Sequence, residues 1–244
     1  MSIGPRLRPK KRSLQPNGPK LMWLLRPQFI TRLPAQRLFQ CTYPLLGLTG
    51  GIACGKSLAL SFFKPYALTF SADTFIKQIY ARPATLEFLQ KIIPEALKTT
   101  TANPLERINW QVLRAKFFTQ EALATQIEQY LYAQLPAIFN QALAAAPPSA
   151  PHVPVIFEVP LLFERGWDAF VDQTIAVSTA APVQRQRLAQ QRHLTPSEID
   201  AFLQRQLSPA QKAAQANFTL HNDGTPAELQ QQCQALATQL FQQA

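Results

Sequence analysis

YPLLGLTGGIACGKSLAL, Tyr43 to Leu60, runs from apolar residues into a glycine cluster and back into apolar residues. Inside it, GGIACGKS fits the spacing G-x-x-x-x-G-K-[ST], with Gly50, Gly55, Lys56 and Ser57 at the fixed places. Glycines let the backbone turn so that successive N–H groups face inward and bind phosphate oxygens. A helix starting at the lysine adds the positive end of its dipole. The ammonium of Lys56 would reach the β- and γ-phosphates, and the hydroxyl of Ser57 would ligate Mg²⁺. A short strand before the loop and a helix after it are the context in which this spacing means a phosphate cradle. Without that context Lys56 would be only an exposed lysine behind a glycine turn. Cys54 lies inside the loop. Inward amides and a lysine favour a thiolate there, whereas a small residue that fits the turn is the plainer reading.

The bulk properties fit a globular domain: 244 residues, 47% apolar and 16% charged. No apolar run reaches the ~18 residues that a membrane-crossing helix needs. The net charge of +10 looks like a nucleic-acid signal until it is located. Residues 1–43 hold nine basic residues and no acid, so the rest of the chain is close to neutral. This proline-rich segment lacks apolar periodicity and is expected to be a largely disordered appendage with no catalytic role. A basic arm for anionic surfaces, an organelle-targeting segment and translation begun upstream of the true start all fit it. Cys41, Cys54 and Cys233 show no C-x-x-C and read as free thiols of a reducing compartment, the cytoplasm, with organelle targeting left open. His152, His193 and His221 are scattered without ligand spacing, which argues against a metal site made by the protein alone.

Along the rest of the chain, PLLGLT, YALTFSAD (66–73), VPVIFEVPLL, DQTIAVST and NFTLHN read as five strands. Residues 74–143 are helical in flavour, with apolar spacing such as Leu131, Leu135 and Ile138. TPSE (195–198), SPAQ (208–211) and TPAE (225–228) each give a cap, a proline and a reciprocal Glu/Gln, the order that opens a helix. The last of these helices would bury Leu229, Cys233, Leu236 and Leu240 on one face. Strands alternating with helices predict a three-layer α/β/α domain on a five-stranded parallel sheet. Asp73 is read as ending the second strand, where a parallel sheet opens onto its ligand crevice. There it would orient an acceptor hydroxyl and take its proton; an acid capping the next helix fits that position equally well.

LTGGIACGKS, then SAD, VPLLFE (159–164), QRQR (184–187) and NDG (222–224), in this order, resemble the dephospho-coenzyme A kinase family over residues 44–244. The resemblance implies a P-loop fold of the nucleoside-monophosphate-kinase type. It would have a helical substrate subdomain at about 77–143 and a lid at about 181–215. It also implies ATP and Mg²⁺ as cofactors, and transfer of the γ-phosphoryl group to the ribose 3′-hydroxyl of dephospho-coenzyme A. No obligatory protein partner is implied. ATP would lie on Gly51, Ile52, Ala53, Cys54, Gly55, Lys56, Ser57 and Leu58, with Asn222 near the adenine. Asp73 would be the base and Arg187 the lid arginine that neutralises the transferring phosphoryl group. Glu158 would hold the Mg²⁺ water shell, and Glu164 would order a loop. On local grounds alone Arg187 is one of three equivalent arginines with Arg185 and Arg192, and Asn222 suits a strand-end turn.

The chain departs from that family's pattern at Ser71, where an acid is usual, and at Lys77, Trp110 and Gln191, where arginines are usual. Leu135-Pro136 stands for a His-Pro pair and Ala216-Asn217 for an Ala-Asp pair. These changes bear on acceptor affinity more than on chemistry. Two further readings remain beside the kinase of dephospho-coenzyme A. One is a P-loop kinase for another nucleoside-like hydroxyl; the other is a degenerate ATP-binding protein that docks nucleic acid through its basic arm.

Overall fold

The structure is a computed structural model that describes residues 22–98, 103–146, 153–192 and 195–244. Strand β1 (Trp23–Leu25) is followed by three 3-10 turns, β2 (Leu45–Gly50), α1 (Lys56–Phe63) and β3 (Leu68–Ser71). Helices α2 (Ala72–Tyr80), α3 (Pro83–Ile92), α4 (Trp110–Thr119) and α5 (Glu121–Ala145) come next. The chain continues through β4 (Val155–Glu158), β5 (Gln173–Ser178), α6 (Ala181–Arg192), α7 (Pro196–Gln204) and α8 (Pro209–Gln215). It ends on β6 (Phe218–His221), α9 (Pro226–Leu240) and β7 (Phe241–Gln243).

The five expected strands form one parallel sheet in the order β3-β4-β2-β5-β6. Alternation along them separates two cores. Leu45, Val155 and Phe157 pack with the α2–α5 side, and Leu46, Leu48, Ile156, Ile175 and Val177 pack with α1 and α9. Every residue of β2 is buried, as a strand covered on both faces requires. Leu229, Cys233, Leu236 and Leu240 all face that second core from α9. The reciprocal caps form at Ser208–Gln211 and Thr225–Glu228. At 195–198 the helix α7 is present, but the side chains of Ser197 and Glu198 lie outside the described residues.

Two expectations need correction. Strand β3 stops at Ser71, and Asp73 belongs to the first turn of α2 rather than to the strand end. Ala72, Phe75 and Ile79 point into the core at helical spacing, and their burial starts the helix two residues early. The second concerns the appendage. Residues 22–43 are packed, not disordered: β1 pairs antiparallel with β7, and Leu25 is 1% exposed. Trp23 meets the ring of Tyr66 edge-on. Asp172, at the entrance of β5, accepts from the amides of Thr31, Arg32 and Leu45 and pairs with Arg37. Apolar anchors and one buried acid therefore hold a segment whose composition alone reads as a solvated arm. Residues 1–21 lie outside the described residues.

Candidate active site

The loop between β2 and α1 is shaped by backbone that glycine alone tolerates at two places. Gly50 has φ +150, and a Cβ there would stand 2.3 Å from the carbonyl oxygen of Val177. Gly55 has φ +91, and a Cβ there would stand 2.1 Å from Asn222 Nδ2. Side chains brace the loop through its carbonyls. Asn222 Nδ2 donates to the Cys54 carbonyl at 2.8 Å, and Gln184 Nε2 donates to that of Ile52 at 2.8 Å. Lys56 Nζ donates to the Gly51 carbonyl at 3.0 Å, an internal contact that holds the ammonium at the mouth of the turn. The amides of Lys56, Ser57 and Leu58, in the first turn of α1, have no carbonyl one turn back to bond. They make the anion-facing end of the cradle.

Beside the cradle, at the carboxyl end of β4, sits Glu158, 1% exposed. Ser57 Oγ donates to Glu158 Oε1 at 3.4 Å, while Oε2 is buried with no hydrogen-bond partner among the described residues. Burial pushes the Glu158 carboxyl above its usual range. The nearby hydroxyls of Ser71 and Ser57 and the charge of Lys56 pull it down, and Asp73 pushes it up. A buried carboxylate with a spare oxygen next to a serine hydroxyl is the oxygen-donor set that a hydrated Mg²⁺ prefers. The residues present therefore fit that ion.

Two cavities meet at this point. The smaller, about 390 Å³, is walled by Gly55, Ser57, Glu158, Arg187 and Asn222, together with Lys56 and Asp73. The larger, about 730 Å³, opens between the α2–α5 helices and the loop after β4, and Lys56 and Asp73 line it as well. Asp73 is exposed and accepts no hydrogen bond from a described residue, so it does not cap α2. Its carboxylate is left for whatever occupies the cavities. Among the three arginines of α6, Arg187 lines the smaller cavity, while Arg185 pairs with Asp200 on α7. The side chain of Arg192 lies outside the described residues. Cys54 is 0% exposed, and burial raises its thiol despite the charge of Lys56. The plainer reading of that residue, a small side chain fitting the turn, is the one the geometry favours.

Several supporting residues were not singled out from sequence. Gln184 lies three places before Arg187, so one face of α6 carries both the loop brace and the cavity arginine; that spacing was readable. Asp223 accepts from the amide of Ala180 at 2.6 Å and from Thr179 Oγ1 at 2.8 Å, which seats the start of α6. These bonds hold its carboxyl below the usual range. Lys212 is wholly buried. Its ammonium donates to the Pro160 carbonyl and pairs with Glu164 at 2.8 Å, and Glu164 also accepts from the Leu207 amide at 2.8 Å. Burial holds the Lys212 ammonium below its usual range, and Glu164 offsets only part of that. Glu164 thus ties the VPLLFE loop to the approach of α8. Asn217 accepts from both the amide and the hydroxyl of Thr174, at 2.8 and 2.9 Å. An amide oxygen is enough for that contact, which is why Asn can stand where an aspartate is usual.

A glycine cradle at the carboxyl edge of a parallel sheet, opening past Lys56 and Asp73 into a second cleft, is the arrangement of a P-loop kinase. A family model described as dephospho-CoA kinase (CoaE) matches residues 44–228, and the chain belongs to that family. Family membership makes it an ATP-using kinase of dephospho-coenzyme A, the reaction that ends coenzyme A biosynthesis. The dephospho-CoA kinase of Rhodopseudomonas palustris strain BisB18 is 34% identical over 177 residues, 72% of this chain and 85% of its own. That of Protochlamydia amoebophila strain UWE25 is 29% identical over 197 residues, 80% and 95% of the two chains. Among solved structures, TT1252 from Thermus thermophilus aligns with a TM-score of 0.66 at 23% identity, over 81% of this chain and 97% of its own. The dephospho-CoA kinase of Campylobacter jejuni aligns at 0.53 and 19%, over 82% and 98%. At these identities the two structures speak for the fold.

Proposed function

We propose that ATP occupies the smaller cavity and dephospho-coenzyme A the larger, and that the γ-phosphoryl group passes between them to the ribose 3′-hydroxyl. The observation that carries this reading is the shared wall: Lys56 and Asp73 line both cavities. The amides of Lys56, Ser57 and Leu58 and the rest of the loop from Gly51 bind the triphosphate. Lys56 leaves the Gly51 carbonyl for the β- and γ-oxygens. Asn222 holds the loop from below and borders the nucleotide. Asp73 takes the proton of the 3′-hydroxyl as its oxygen attacks the γ-phosphorus; the bond from that phosphorus to the β-γ bridging oxygen breaks, and ADP leaves. Arg187 lies against the equatorial oxygens, where its fixed charge offsets the charge spread over them in a loose transition state. Mg²⁺, when bound, would neutralise charge developing on the phosphates; Ser57 and Glu158 are the residues that would hold it and its waters.

The segment of about 77–143 is the acceptor subdomain in this reading, and about 181–215 is the lid that brings Arg187 over the phosphates. Three free, buried thiols suit a reducing compartment, so the cytoplasm is the proposed location. No helix among the described residues is long and apolar enough to cross a membrane. The test is a coupled ADP-release assay over dephospho-coenzyme A, adenosine and other nucleoside-like acceptors. The reading expects a clear preference for dephospho-coenzyme A; an equal or better rate on another hydroxyl would reject it in favour of a kinase with a different acceptor.

A further inference from the structure

The larger cleft carries more arginine than proton transfer at Asp73 needs. Arg165, on the loop after β4, donates through Nη2 to Glu128 Oε2 at 3.0 Å. Arg205 Nη2, at the end of α7, lies 3.8 Å from the other oxygen of the same carboxylate. One acid thus serves two guanidiniums, the second loosely. Glu164, which lines the same cleft, is already taken by Lys212 and the Leu207 amide. Arg165 Nε is buried with no hydrogen-bond partner among the described residues, a donor left without an acceptor. The guanidinium of Arg165 lies 3.4 Å from the centre of the Tyr132 ring, and that of Arg205 lies 4.6 Å from the centre of Phe117. Arg205 also donates to the Phe117 carbonyl at 3.1 Å, so each guanidinium is seated against an aromatic ring and keeps further donors for a ligand. Tyr132 and Asp73 line the same cleft, which connects the seat of Arg165 to the chemistry.

We propose that Arg165 and Arg205 form a fork for the 5′-diphosphate of the acceptor, with Glu128 holding the two guanidiniums apart until that diphosphate arrives. This rests on the kinase reading above. Planar guanidiniums pair with two phosphate oxygens at once, and the orphan Nε of Arg165 supplies a donor for such a pair. The diphosphate hangs from the same ribose as the 3′-hydroxyl, so gripping it sets the rotation of that ribose and turns the hydroxyl toward Asp73. The fork therefore selects acceptors that carry a 5′-diphosphate over those that carry a bare nucleoside.

Titration calorimetry with dephospho-coenzyme A, on protein already loaded with a non-hydrolysable ATP analogue, tests this in the full chain and in Arg165→Gln, Arg205→Gln and Arg165→Lys. Each glutamine variant should weaken acceptor binding by about 10-fold or more, the scale of a lost charged hydrogen bond. The lysine variant should recover only part of it, since an ammonium keeps charge but not the planar edge. Affinity for the ATP analogue should stay within about 2-fold, and the acceptor KM should rise by more than kcat falls. Unchanged acceptor affinity in both glutamine variants overturns the proposal. So does a parallel loss of ATP-analogue affinity, which would mark a collapsed cleft. The unaltered chain is assayed alongside: failure of that chain to phosphorylate dephospho-coenzyme A would sink the kinase reading itself, whatever the variants do.

Discussion

Arg37 Nε lies 2.7 Å from Asp172 Oδ2, and the two side chains are 4% and 0% exposed. The same carboxylate accepts from the amides of Thr31, Arg32 and Leu45, each at 2.8 Å, so one buried acid gathers the entry of β2, the entry of β5 and the incoming segment. Removing one partner of such a pair leaves a charge and several donors without compensation. Asp172→Ala should cost about 3–5 kcal/mol by denaturant unfolding. The pair stands at the amino edge of a parallel sheet, opposite the phosphate loop, so turnover per folded molecule should be retained. By the same logic a deletion through residue 43 should destabilise strongly, while one ending at residue 21 keeps every contact described above. Equal stability of the two deletions would show that the segment contributes nothing.

Lys56 and Asp73 border both cavities, and each is asked to act only when donor and acceptor are present. Lys56→Ala and Asp73→Asn should each lower turnover by at least ~10²-fold, the scale of positioned charge and of general-base effects. The two should differ in binding: Lys56→Ala weakens ATP, whereas Asp73→Asn leaves the ATP dissociation constant nearly unchanged. Near-normal turnover in Asp73→Asn would remove it as the base.

The arginines of α6 give a contrast within one helix. Arg187 lines the smaller cavity, and Arg185 forms a half-exposed pair with Asp200. Arg187→Gln should reduce kcat by at least about 10²-fold. Arg185→Gln should stay within about 2-fold, as exposed ion pairs contribute little. Steady-state rates of the two variants decide it, and equal effects would mean that the helix face was assigned wrongly.

What the sequence made legible here was local. The glycine spacing, five short apolar runs and the Ser-Pro-x-Gln and Thr-Pro-x-Glu caps each act within a few residues, and each appears where the spacing put it. Asp73 was legible as an acid facing the crevice but not as part of a helix, because the burial of Ala72, Phe75 and Ile79 that starts the helix early is a tertiary effect. The β1–β7 pairing joins residues more than two hundred places apart, and three-residue strands carry no periodic signal. The larger cleft was hidden for the same reason: Tyr132, Arg165 and Arg205 come from α5, a loop and the end of α7, and each alone reads as a surface residue.

Glu158 combines a functional duty with a stability cost. Its carboxyl is raised above the usual 4.5, chiefly by burial. A carboxyl whose folded pKa is raised contributes stability that is complete below about 4.5 and is lost as pH climbs through the folded value. In nucleotide-free protein at pH 7, Glu158→Gln should therefore raise Tm, because the amide fills the same buried place without a charge. The gain should vanish as pH falls toward 4.5, where both side chains are neutral. The same variant should need more Mg²⁺ for half-maximal turnover. A Tm that falls in Glu158→Gln at pH 7 would show that the site is not strained by its charge.

Cys54 shares the phosphate loop with Lys56, and proximity to a lysine and free amides would ordinarily favour a thiolate. Burial opposes this and dominates: the side chain is 0% exposed and its thiol is raised above 9.0. Alkylating reagents attack thiolates, so both the low ionised fraction and the lack of access protect the residue. Iodoacetamide at pH 7.5 should leave turnover within about 2-fold of the untreated enzyme, with or without ATP. Cys41 and Cys233 are buried too, with thiols pushed to about 11 and about 12, so peptide mapping of the treated native protein should find all three unmodified. Rapid inactivation that ATP prevents, with the label on Cys54, would mean that the loop opens in solution and that this thiol senses its nucleotide.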